Sequence, residues 1–407
     1  MTQIDPDRLL STLESLRHFG REGTGVHRPA LTPEDLQARQ WLRTRLADIG
    51  YHASIDRFGT VLGRAPGDAP TILIGSHTDT VPHGGWLDGA LGVCYGLEIA
   101  TARTEALGLD AARVDVVSFQ DEEGTFVPFL GSRGFIGEIT DPDSLADRQA
   151  LDGRRLGDAL DVDAIRERPI LQMDVSRTGA YLEAHIEQGP RLENKRLPIG
   201  IVTAIVGIRR FRIVVEGRAD HAGTTPLELR RDAGAAALRL AVALLDLFQA
   251  AGGSETVWNI GHIAFQPGAL NVVPAEAAFT LEFRDVQESR LDALEANMRA
   301  LVSGHSRVSA LPIAINQTTQ ISATLMTTSI VDAFEGAARD LGVGSMRLSS
   351  GAGHDAMILA RRVPAGMLFV PSIAGRSHDV SENTRAADII MGAQVMARAV
   401  DRLLGTL

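Results

Sequence analysis

Short polar segments of this chain combine histidines and carboxylates at spacings that suit metal binding. In the first, residues 75–80, His77 and Asp79 are two positions apart and project to the same side of an extended strand. A carboxylate beside a metal-bound histidine fixes its tautomer and raises its basicity. A His–Asp pair can equally form a simple surface hydrogen bond, so this segment alone does not establish a metal site.

Asp88 lies in a second segment, between glycines and ahead of a run of small residues. A carboxylate at this place could bridge two cations. The common role of such an Asp is to cap the N-terminus of a helix, and that interpretation stays open.

Three adjacent acids, Asp121, Glu122 and Glu123, form the third segment. Adjacent carboxylates repel one another unless cations or protons relieve them. Neighbouring residues project differently, so we expect Glu122 and Glu123 to differ in role, one as a metal ligand and one as a general base. A solvated acidic turn is the alternative.

The later part of the chain adds His185 with Gln188, and then His378. Each histidine alone is more often an ordinary polar residue than a ligand. Together, three histidines and two acids in loops after predicted strands favour a dinuclear His/carboxylate site, which lowers the pKa of a shared water and stabilises an oxyanion. No thiolate takes part, so a cysteine-type structural zinc site is excluded.

The elements that must position these residues follow from the apolar pattern. Residues 71–76 and 114–119 are short apolar runs typical of buried strands, and residues 89–106 between them predict a helix rich in small residues. Strand, helix, strand is the pattern of an α/β domain with a mainly parallel sheet. Binding sites in such sheets form at the carboxyl ends of the strands, where the histidines and acids lie.

The middle of the chain has a different character. Alternating strands at residues 211–216 and 277–283 accompany helices at residues 232–250 and 291–302. We therefore expect a smaller α+β domain, residues 207–316, inserted into a catalytic domain made of residues 1–206 and 317–407.

Composition excludes several classes of function. The 407 residues carry a net charge of -11, which makes nucleic acids and anionic membranes unfavourable partners. The single cysteine, Cys94, rules out a disulfide within the chain and suits a reducing cytoplasm. We expect neither a signal peptide nor an apolar run of about 20 residues that could span a membrane.

Seven separated motifs, in order along nearly the whole chain, resemble the hydantoinase/carbamoylase family of amidases, within the superfamily of dinuclear metallo-exopeptidases. The family includes N-carbamoyl-L-amino-acid hydrolases, allantoate amidohydrolases and β-ureidopropionases. The matching segments are residues 75–82, 85–93, 121–124, 185–190, 221–226, 350–356 and 371–378.

The resemblance implies two divalent metal ions per subunit, zinc, manganese or cobalt. One ion would be held by His77 and His185, a second by Glu123 and His378, with Asp88 bridging them. It further implies a general base, a partner for His77, a histidine that crosses a dimer interface to stabilise the oxyanion, and substrate contacts. The corresponding residues are Glu122, Asp79 and His221, and then Gln188, Asn271, Arg284, Gly353 and His354.

Arg284 would hold a substrate carboxylate through two parallel hydrogen bonds, although a local pair with Asp285 is the alternative. The implied activity is hydrolysis of the carbamoyl or ureido C–N bond of a small carboxylate substrate by a metal-bridging hydroxide, in a homodimer whose insert acts as dimerisation surface and lid. An N-acyl amino acid amidohydrolase or a dipeptidase of the same superfamily is the alternative.

The chain departs from the family pattern at three places, of which the first two lie near the expected substrate pocket and bear on the substrate. Residues 124–131 lack the Arg-Phe pair that many relatives carry, Asp220 replaces an Asn, and Thr60 replaces another Asn. A metal-binding module without catalysis would predict loss of Glu122 or Asp88, and both are present. A dinucleotide-binding oxidoreductase is weaker still, because the glycines near residue 351 lack the later glycine of that motif.

Overall fold

The computed structural model describes residues 2–407, which divide into two compact units. Unit 1 comprises the N-terminal part up to Thr203 and the C-terminal part from Met326, and unit 2, the insert, is Ala204–Leu325. The predicted insert, residues 207–316, lies inside these bounds, and its predicted end falls within a strand, Ile313–Ile321.

The elements follow in chain order. The first part of unit 1 contains α1 (Pro6–His18), β1 (Arg21–Glu22), β2 (Gly25–Val26), α2 (Pro33–Asp48), β3 (His52–Ile55), β4 (Val61–Arg64), β5 (Thr71–His77), α3 (Ala90–Leu107), β6 (Val114–Phe119), α4 (Leu130–Phe135), α5 (Leu156–Leu160), β7 (Thr178–Ile186), α6 (Arg191–Lys195) and β8 (Ile199–Ile205), the last of which crosses the boundary. The insert contains β9 (Gly207–Glu216), β10 (Asp220–His221), α7 (Ala233–Ala251), β11 (Val257–Gln266), β12 (Val272–Val273), β13 (Glu276–Asp285), α8 (Glu288–Ser309), β14 (Ile313–Ile321) and β15 (Thr324–Leu325). The C-terminal part of unit 1 contains α9 (Thr328–Asp340), β16 (Ser345–Ser350), α10 (Asp355–Leu359), β17 (Ala365–Val370) and α11 (Ala386–Leu404).

The main sheet is mixed rather than mainly parallel. Seven of its nine strands follow in the order β8-β17-β7-β5-β6-β4-β3, and β15 and β16 each pair with β8. The four central strands, β17, β7, β5 and β6, are parallel, as predicted, whereas β8 on one side and β4 and β3 on the other are antiparallel. The β3–β4 pair is antiparallel because its short connection can only return the chain in the opposite direction.

The parallel strands end together and so bring distant loops to one edge. In the register, His77 of β5 pairs with Phe119 of β6, and Ile186 of β7 pairs with Val370 of β17. Every residue of β5, β6 and β17 is buried, as expected for strands covered on both faces. The loops that follow these strands therefore start from a rigid base.

The insert is an antiparallel sheet, in the order β11-β13-β9-β14, with two helices on one face. Alternation along β9 buries Phe211, Ile213 and Val215 and exposes Arg210 and Arg212. The buried side chains form one core with α7 and α8. The sequence placed both helices, and α8 extends further at each end than the predicted residues 291–302.

Helix α7 is long and apolar enough to cross a membrane by length and composition, the only such helix among residues 2–407. The charged residues within this helix keep it from being a continuous apolar run of about 20 residues, as expected from the sequence. Its inner face, including Leu240, Leu244 and Phe248, packs into the core of the insert, and Arg239 and Asp246 interrupt its apolar surface. We assign it as a core helix of the insert.

Candidate active site

Five predicted metal ligands converge at the carboxyl edge of the main sheet. His77 ends β5, His185 is the second-last residue of β7, and Glu123 follows β6. His378 lies in the loop after β17, and Asp88 lies two residues before α3.

Asp88 stands at the centre of the cluster. Its Oδ1 lies 2.9 Å from Nε2 of His185 and 3.5 Å from Nε2 of His77. Its Oδ2 lies 3.3 Å from Nε2 of His378, which in turn lies 3.4 Å from Oε1 of Glu123. One carboxylate thus faces both predicted ligand pairs with different oxygens, the arrangement a bridging ligand needs.

The donor set fits two divalent cations. The ligand atoms of His77, Asp88 and His185 lie within 4.8 Å of one another, and so do those of Asp88, Glu123 and His378. Oε1 of Glu123 is buried and has no hydrogen bond. Buried polar atoms are rarely left without a partner, so this oxygen is available as a metal ligand. Imidazole and carboxylate donors suit zinc, manganese or cobalt.

Two of the histidines are oriented for metal binding by main-chain carbonyls. Nδ1 of His77 donates to the carbonyl oxygen of Asp79 at 2.9 Å, and Nδ1 of His185 donates to that of Ile186 at 2.9 Å. A proton fixed on Nδ1 leaves the Nε2 lone pair for an ion, and both Nε2 atoms face Asp88.

Asp79 was predicted to partner His77 through its carboxylate. In the structure, the main-chain carbonyl oxygen of Asp79 makes the hydrogen bond to His77. The carboxylate instead accepts hydrogen bonds from Arg39 at 3.2 Å and from the main-chain N–H groups of Asp121 at 3.1 Å and Glu123 at 3.4 Å. A buried cation and two N–H groups draw it away from the imidazole. Asp79 therefore fixes the loop that carries Glu122 and Glu123.

Asp88 does not cap α3. The residue at the cap position is Gly89, and it forms no side-chain cap hydrogen bond. Gly89 has φ +64°, and a Cβ there would lie 2.4 Å from the His77 ring. Glycine is thus required where the main chain passes beside the His77 ring.

Glu382, which the sequence reasoning missed, holds this segment in place. Its Oε1 accepts the N–H groups of Leu87 and Asp88, both at 3.0 Å, while its Oε2 accepts from Ser377 at 3.0 Å. A Cβ on Gly85 would lie 1.9 Å from the Glu382 carboxyl group. The only sequence signal was an acid four residues after His378.

Charges within the cluster control its protonation. The adjacent carboxylates of Asp88 and Glu123 raise the pKa of His378 to about 11. Burial opposes charge on His77 and His185, but nearby carboxylates outweigh it and raise the pKa of both. Burial also disfavours ionised Asp88, yet the histidines hold its pKa well below the usual value.

Glu122 lies beside the ligands, and its Oε2 is 3.6 Å from Nε2 of His77. Burial raises the pKa of Glu122 well above its usual value against the opposing effect of His77, and Glu123 adds to the rise. A carboxyl group with a raised pKa at the edge of a metal cluster has the properties of a general base.

A cavity of about 470 Å³ adjoins the cluster in unit 1; its lining includes Gln188, Gly351 and His378. The Gln188 amide donates to Asp88 at 2.9 Å, while its buried Oε1 has no partner. Asp121, Gln188 and His378 all have positive φ, a conformation that costs about 1–3 kcal/mol each and is concentrated at functional sites.

The predicted substrate contacts Gly353 and His354 lie in a turn whose histidine is buried beside His185. His354 is buried, its Nε2 lies 2.8 Å from Oγ of Ser350, and its ring meets the edge of the His185 ring at 4.6 Å between centroids. Burial, with the nearby His185, lowers the pKa of His354 well below its usual value, which keeps it neutral. A Cβ on Gly353 would lie 2.9 Å from Phe129.

The remaining predicted residues, His221, Asn271 and Arg284, lie in the insert. Strand β10 pairs with β12, and the N–H of Ala222 donates to the carbonyl oxygen of Asn271, so His221 and Asn271 are neighbours. Nδ1 of His221 accepts N–H groups from Gly223 at 3.0 Å and Thr224 at 3.2 Å. The proton of a neutral His221 is therefore on Nε2, which becomes a hydrogen-bond donor.

Arg284 pairs locally with Glu282, at 2.7 Å, and not with Asp285. The reason is the strand geometry, since residues two apart on β13 share one face of the sheet and adjacent residues do not. Asp285 points to the other side and accepts from Gln287 at 2.8 Å.

Comparison with known proteins identifies the family of this chain. Residues 73–402 match Peptidase family M20/M25/M40. The chain is 35% identical over 410 residues to the N-carbamoyl-L-amino-acid amidohydrolase of Paenarthrobacter aurescens, with 99% of each chain covered. It is 32% identical over 397 residues to the allantoate amidohydrolase of Bacillus subtilis (strain 168), with 96% of each covered.

A crystal structure of an amidase of the hydantoinase/carbamoylase family from Burkholderia phymatum is 44% identical and superposes with a TM-score of 0.93, covering 100% of this chain and 99% of that one. The resemblance inferred from the seven motifs is thereby confirmed. With a family match over residues 73–402 and these relatives across its full length, the chain belongs to the M20/M25/M40 peptidase family.

Proposed function

We propose that this protein is a metal-dependent amidohydrolase that cleaves the carbamoyl or ureido C–N bond of a small carboxylate substrate. The observation that carries the proposal is the position of Asp88 between two ligand pairs, with Glu122 beside them and a cavity of about 470 Å³ adjoining. The relatives act on N-carbamoyl amino acids or allantoate, by their names, and support the choice of bond.

The residues proposed to hold the ions are His77 and His185 for one, Glu123 and His378 for the other, and Asp88 for both. When bound, two such ions supply a nucleophile at neutral pH and polarise the carbonyl group of the substrate. We propose zinc, manganese or cobalt, since all three accept this mixture of imidazole and carboxylate.

Glu122 takes the role of general base and proton carrier in this proposal. Its raised pKa lets it accept a proton from the attacking water and return that proton to the leaving nitrogen. Gln188 and the turn at Gly353 and His354 orient the substrate beside the cluster, and Arg284 binds its carboxylate through a paired hydrogen bond. For this, the salt bridge between Arg284 and Glu282 would have to break when the substrate carboxylate binds.

We propose that His221 stabilises the oxyanion and that it comes from the partner subunit of a homodimer. Its Nε2 donor suits that role, because two main-chain N–H groups occupy Nδ1. Asn271, next to His221 in the insert, would contact the same substrate. The insert would serve as dimerisation surface and lid.

The insert carries an apolar surface that supports a dimer. On α7, Leu238 is 51% exposed, Val242 58% and Leu245 40%, and these residues recur on one side of the helix. Ile263 of the edge strand β11, opposite Phe279 on the helix side of the sheet, is also exposed. Apolar residues concentrated in this way are typical of surfaces that bind another protein, and we propose a second copy of this chain.

The activity is tested by ammonia release from a panel of substrates, using enzyme stripped of metal and reloaded with manganese, zinc or cobalt. The panel contains N-carbamoyl-L- and D-amino acids, N-carbamoyl-β-alanine, allantoate and N-acetyl amino acids. Metal-dependent ammonia from one ureido substrate supports the proposal and identifies the branch. Cleavage of only N-acyl amino acids or dipeptides would overturn the choice of bond and favour the alternative named from the sequence.

We also propose a cytoplasmic location. The only thiol is Cys94, which is buried, and burial raises its pKa to about 12. No disulfide protects this chain, which suits a reducing compartment.

A further inference from the structure

Three side chains of ligand type meet in a second place in unit 1, and none of them belongs to the proposed active site. Glu22 is in β1, His27 follows β2, and His83 is in the segment between Asp79 and Asp88. Nδ1 of His83 lies 2.7 Å from Oε2 of Glu22, and the rings of His27 and His83 are 4.8 Å apart between centroids. One ligand atom from each residue lies within 4.8 Å of the other two.

The main chain holds the two segments together. The N–H of Val26 donates to the carbonyl oxygen of Gly84 at 3.0 Å, and the N–H of His27 donates to that of Gly20 at 2.7 Å. Strands β1 and β2 pair Glu22 with Gly25. The three side chains therefore start from fixed positions, although Glu22 and His83 are themselves exposed.

We propose that Glu22, His27 and His83 form a third metal site, separate from the two catalytic ions, that binds one zinc-like divalent cation. Two imidazoles and one carboxylate are ligands that zinc, copper and nickel accept, whereas magnesium and calcium prefer oxygen alone. Ligands on a tetrahedral zinc are about 3.3 Å apart, given bonds of about 2.0–2.1 Å. Small rotations of exposed side chains provide that contraction, and water completes the coordination.

The geometry makes this site weaker than the catalytic pair. Nδ1 of His27 accepts the main-chain N–H of His83 at 3.1 Å, so a neutral His27 carries its proton on Nε2. Binding an ion either breaks that hydrogen bond or displaces that proton. The ion also takes the place of the hydrogen bond between Glu22 and His83.

Occupation of the site would brace the chain on both sides of the active site. His83 lies on the segment that leads to Asp88. The hairpin that carries Glu22 and His27 reaches the loop after His378, because Oγ of Thr24 donates to the carbonyl oxygen of Val380 at 2.6 Å. An ion here would therefore tie the segment that leads to Asp88 to a hairpin that contacts the loop after His378.

The test is metal content after equilibrium dialysis of the full-length enzyme against rising concentrations of free zinc, measured by mass spectrometry. We expect the wild-type enzyme to reach three zinc ions per chain, the third at least tenfold weaker than the first two. His83→Ala and His27→Ala should stop at two, and Glu22→Gln should weaken the third ion at least tenfold. His52→Ala, which removes an exposed histidine on β3, should still reach three.

A second measurement identifies the ligands directly. Copper added in small excess to the zinc-loaded enzyme should give an electron paramagnetic resonance signal with coupling to two nitrogens, which His27→Ala and His83→Ala each reduce. The proposal is overturned if wild type and His83→Ala hold equal metal at every concentration. His185→Ala separates this site from the proposed function, since it should lose catalytic metal and keep the copper signal.

Discussion

At the scale of single residues, Glu122 differs from Glu123 in its surroundings although the two are adjacent. Glu122 lies against His77, and burial raises its pKa, while Glu123 lies against His378 with one oxygen that has no hydrogen bond. The first environment suits a group that exchanges protons, and the second suits a ligand.

Glu122→Gln should therefore lower kcat by about 10²–10⁴-fold, the usual contribution of general acid–base catalysis, and leave metal content near that of wild type. Steady-state kinetics with metal analysis of the same sample checks both parts. Glu123→Gln is the matched control, and it should lose metal. A Glu122→Gln enzyme with wild-type turnover would remove Glu122 from its proposed role.

Gly89 tests how closely the main chain approaches a ligand. Gly89→Ala places a methyl group 2.4 Å from the His77 ring at a residue with φ +64°. We expect a loss of about 1–3 kcal/mol from backbone strain together with reduced metal content, because His77 must move. Gly108→Ala is the control, since Gly108 has φ +86° and no atom within 4 Å of the new Cβ. Equal metal content in both variants would argue against the steric explanation.

The raised histidine pKa values predict that metal binding releases protons. His378 has a pKa of about 11 in the metal-free protein, so it is protonated at neutral pH, and an ion must displace that proton. Apparent affinity should therefore rise with pH, about tenfold per unit for each proton released. Calorimetry in buffers of different ionisation enthalpy counts the protons, and His378→Gln should release one fewer. Affinity independent of pH between about 6 and about 8 would contradict the assignment.

At the scale of elements, the loop after β6 depends on a buried network that begins in α2. Arg39 of α2 donates to Asp35 at 2.9 Å and to Asp79 at 3.2 Å, and none of the three side chains is exposed. Asp79 then accepts the N–H groups of Asp121 and Glu123. Helix α2 thus helps to fix the loop that carries Glu122 and Glu123.

Asp79→Asn should lower kcat at least tenfold, because an amide nitrogen would face donors and loosen the loop, at a stability cost of about 3–5 kcal/mol for leaving buried Arg39 poorly paired. Asp115→Asn is the control: Asp115 is a buried partner of Arg177 near the start of β6, away from the ligands. It should lose stability and keep kcat. Thermal unfolding and kinetics on both variants separate positioning from folding, and equal kcat values would disprove the positioning role.

At the scale of the whole molecule, the proposed dimer predicts that each active site uses two subunits. Mixing an inactive Glu122→Gln subunit with an inactive His221→Ala subunit should restore about a quarter of wild-type activity. Half of randomly formed dimers are hybrids, and each hybrid has one intact site of two. Activity is measured after mild unfolding and reassembly.

Each variant reassembled alone is the control and should stay inactive. Hybrids that form, as shown by differently tagged subunits, yet remain inactive would argue against a shared site. If light scattering at the concentration used in the assay shows a monomer, the proposal that the protein is a homodimer is wrong.

Much of the architecture could be predicted from the chain because its signals are local. Thr32, Pro33 and the apolar spacing after them predict α2, and the structure begins that helix at Pro33 with Thr32 as its cap. The strands at β5, β6 and β17 are apolar runs of the right length. The antiparallel edges of the main sheet were not predicted, because pairing direction depends on which strands meet and not on their composition.

The sequence by itself determined which residues could bind metal, since imidazoles and carboxylates after strands are local features. Only the tertiary structure decided the partners of each carboxylate. The carboxylate of Asp79 pairs with Arg39. The carboxylate of Glu382 accepts hydrogen bonds from the main-chain N–H groups of Leu87 and Asp88. The His77 ring lies against Gly89. Leu87 and Glu382 are 295 positions apart, so no local pattern records their contact. A buried carboxylate pairs with the donors that the fold places next to it. The free-energy cost of burying an unpaired charge exceeds the free energy of any local conformational preference.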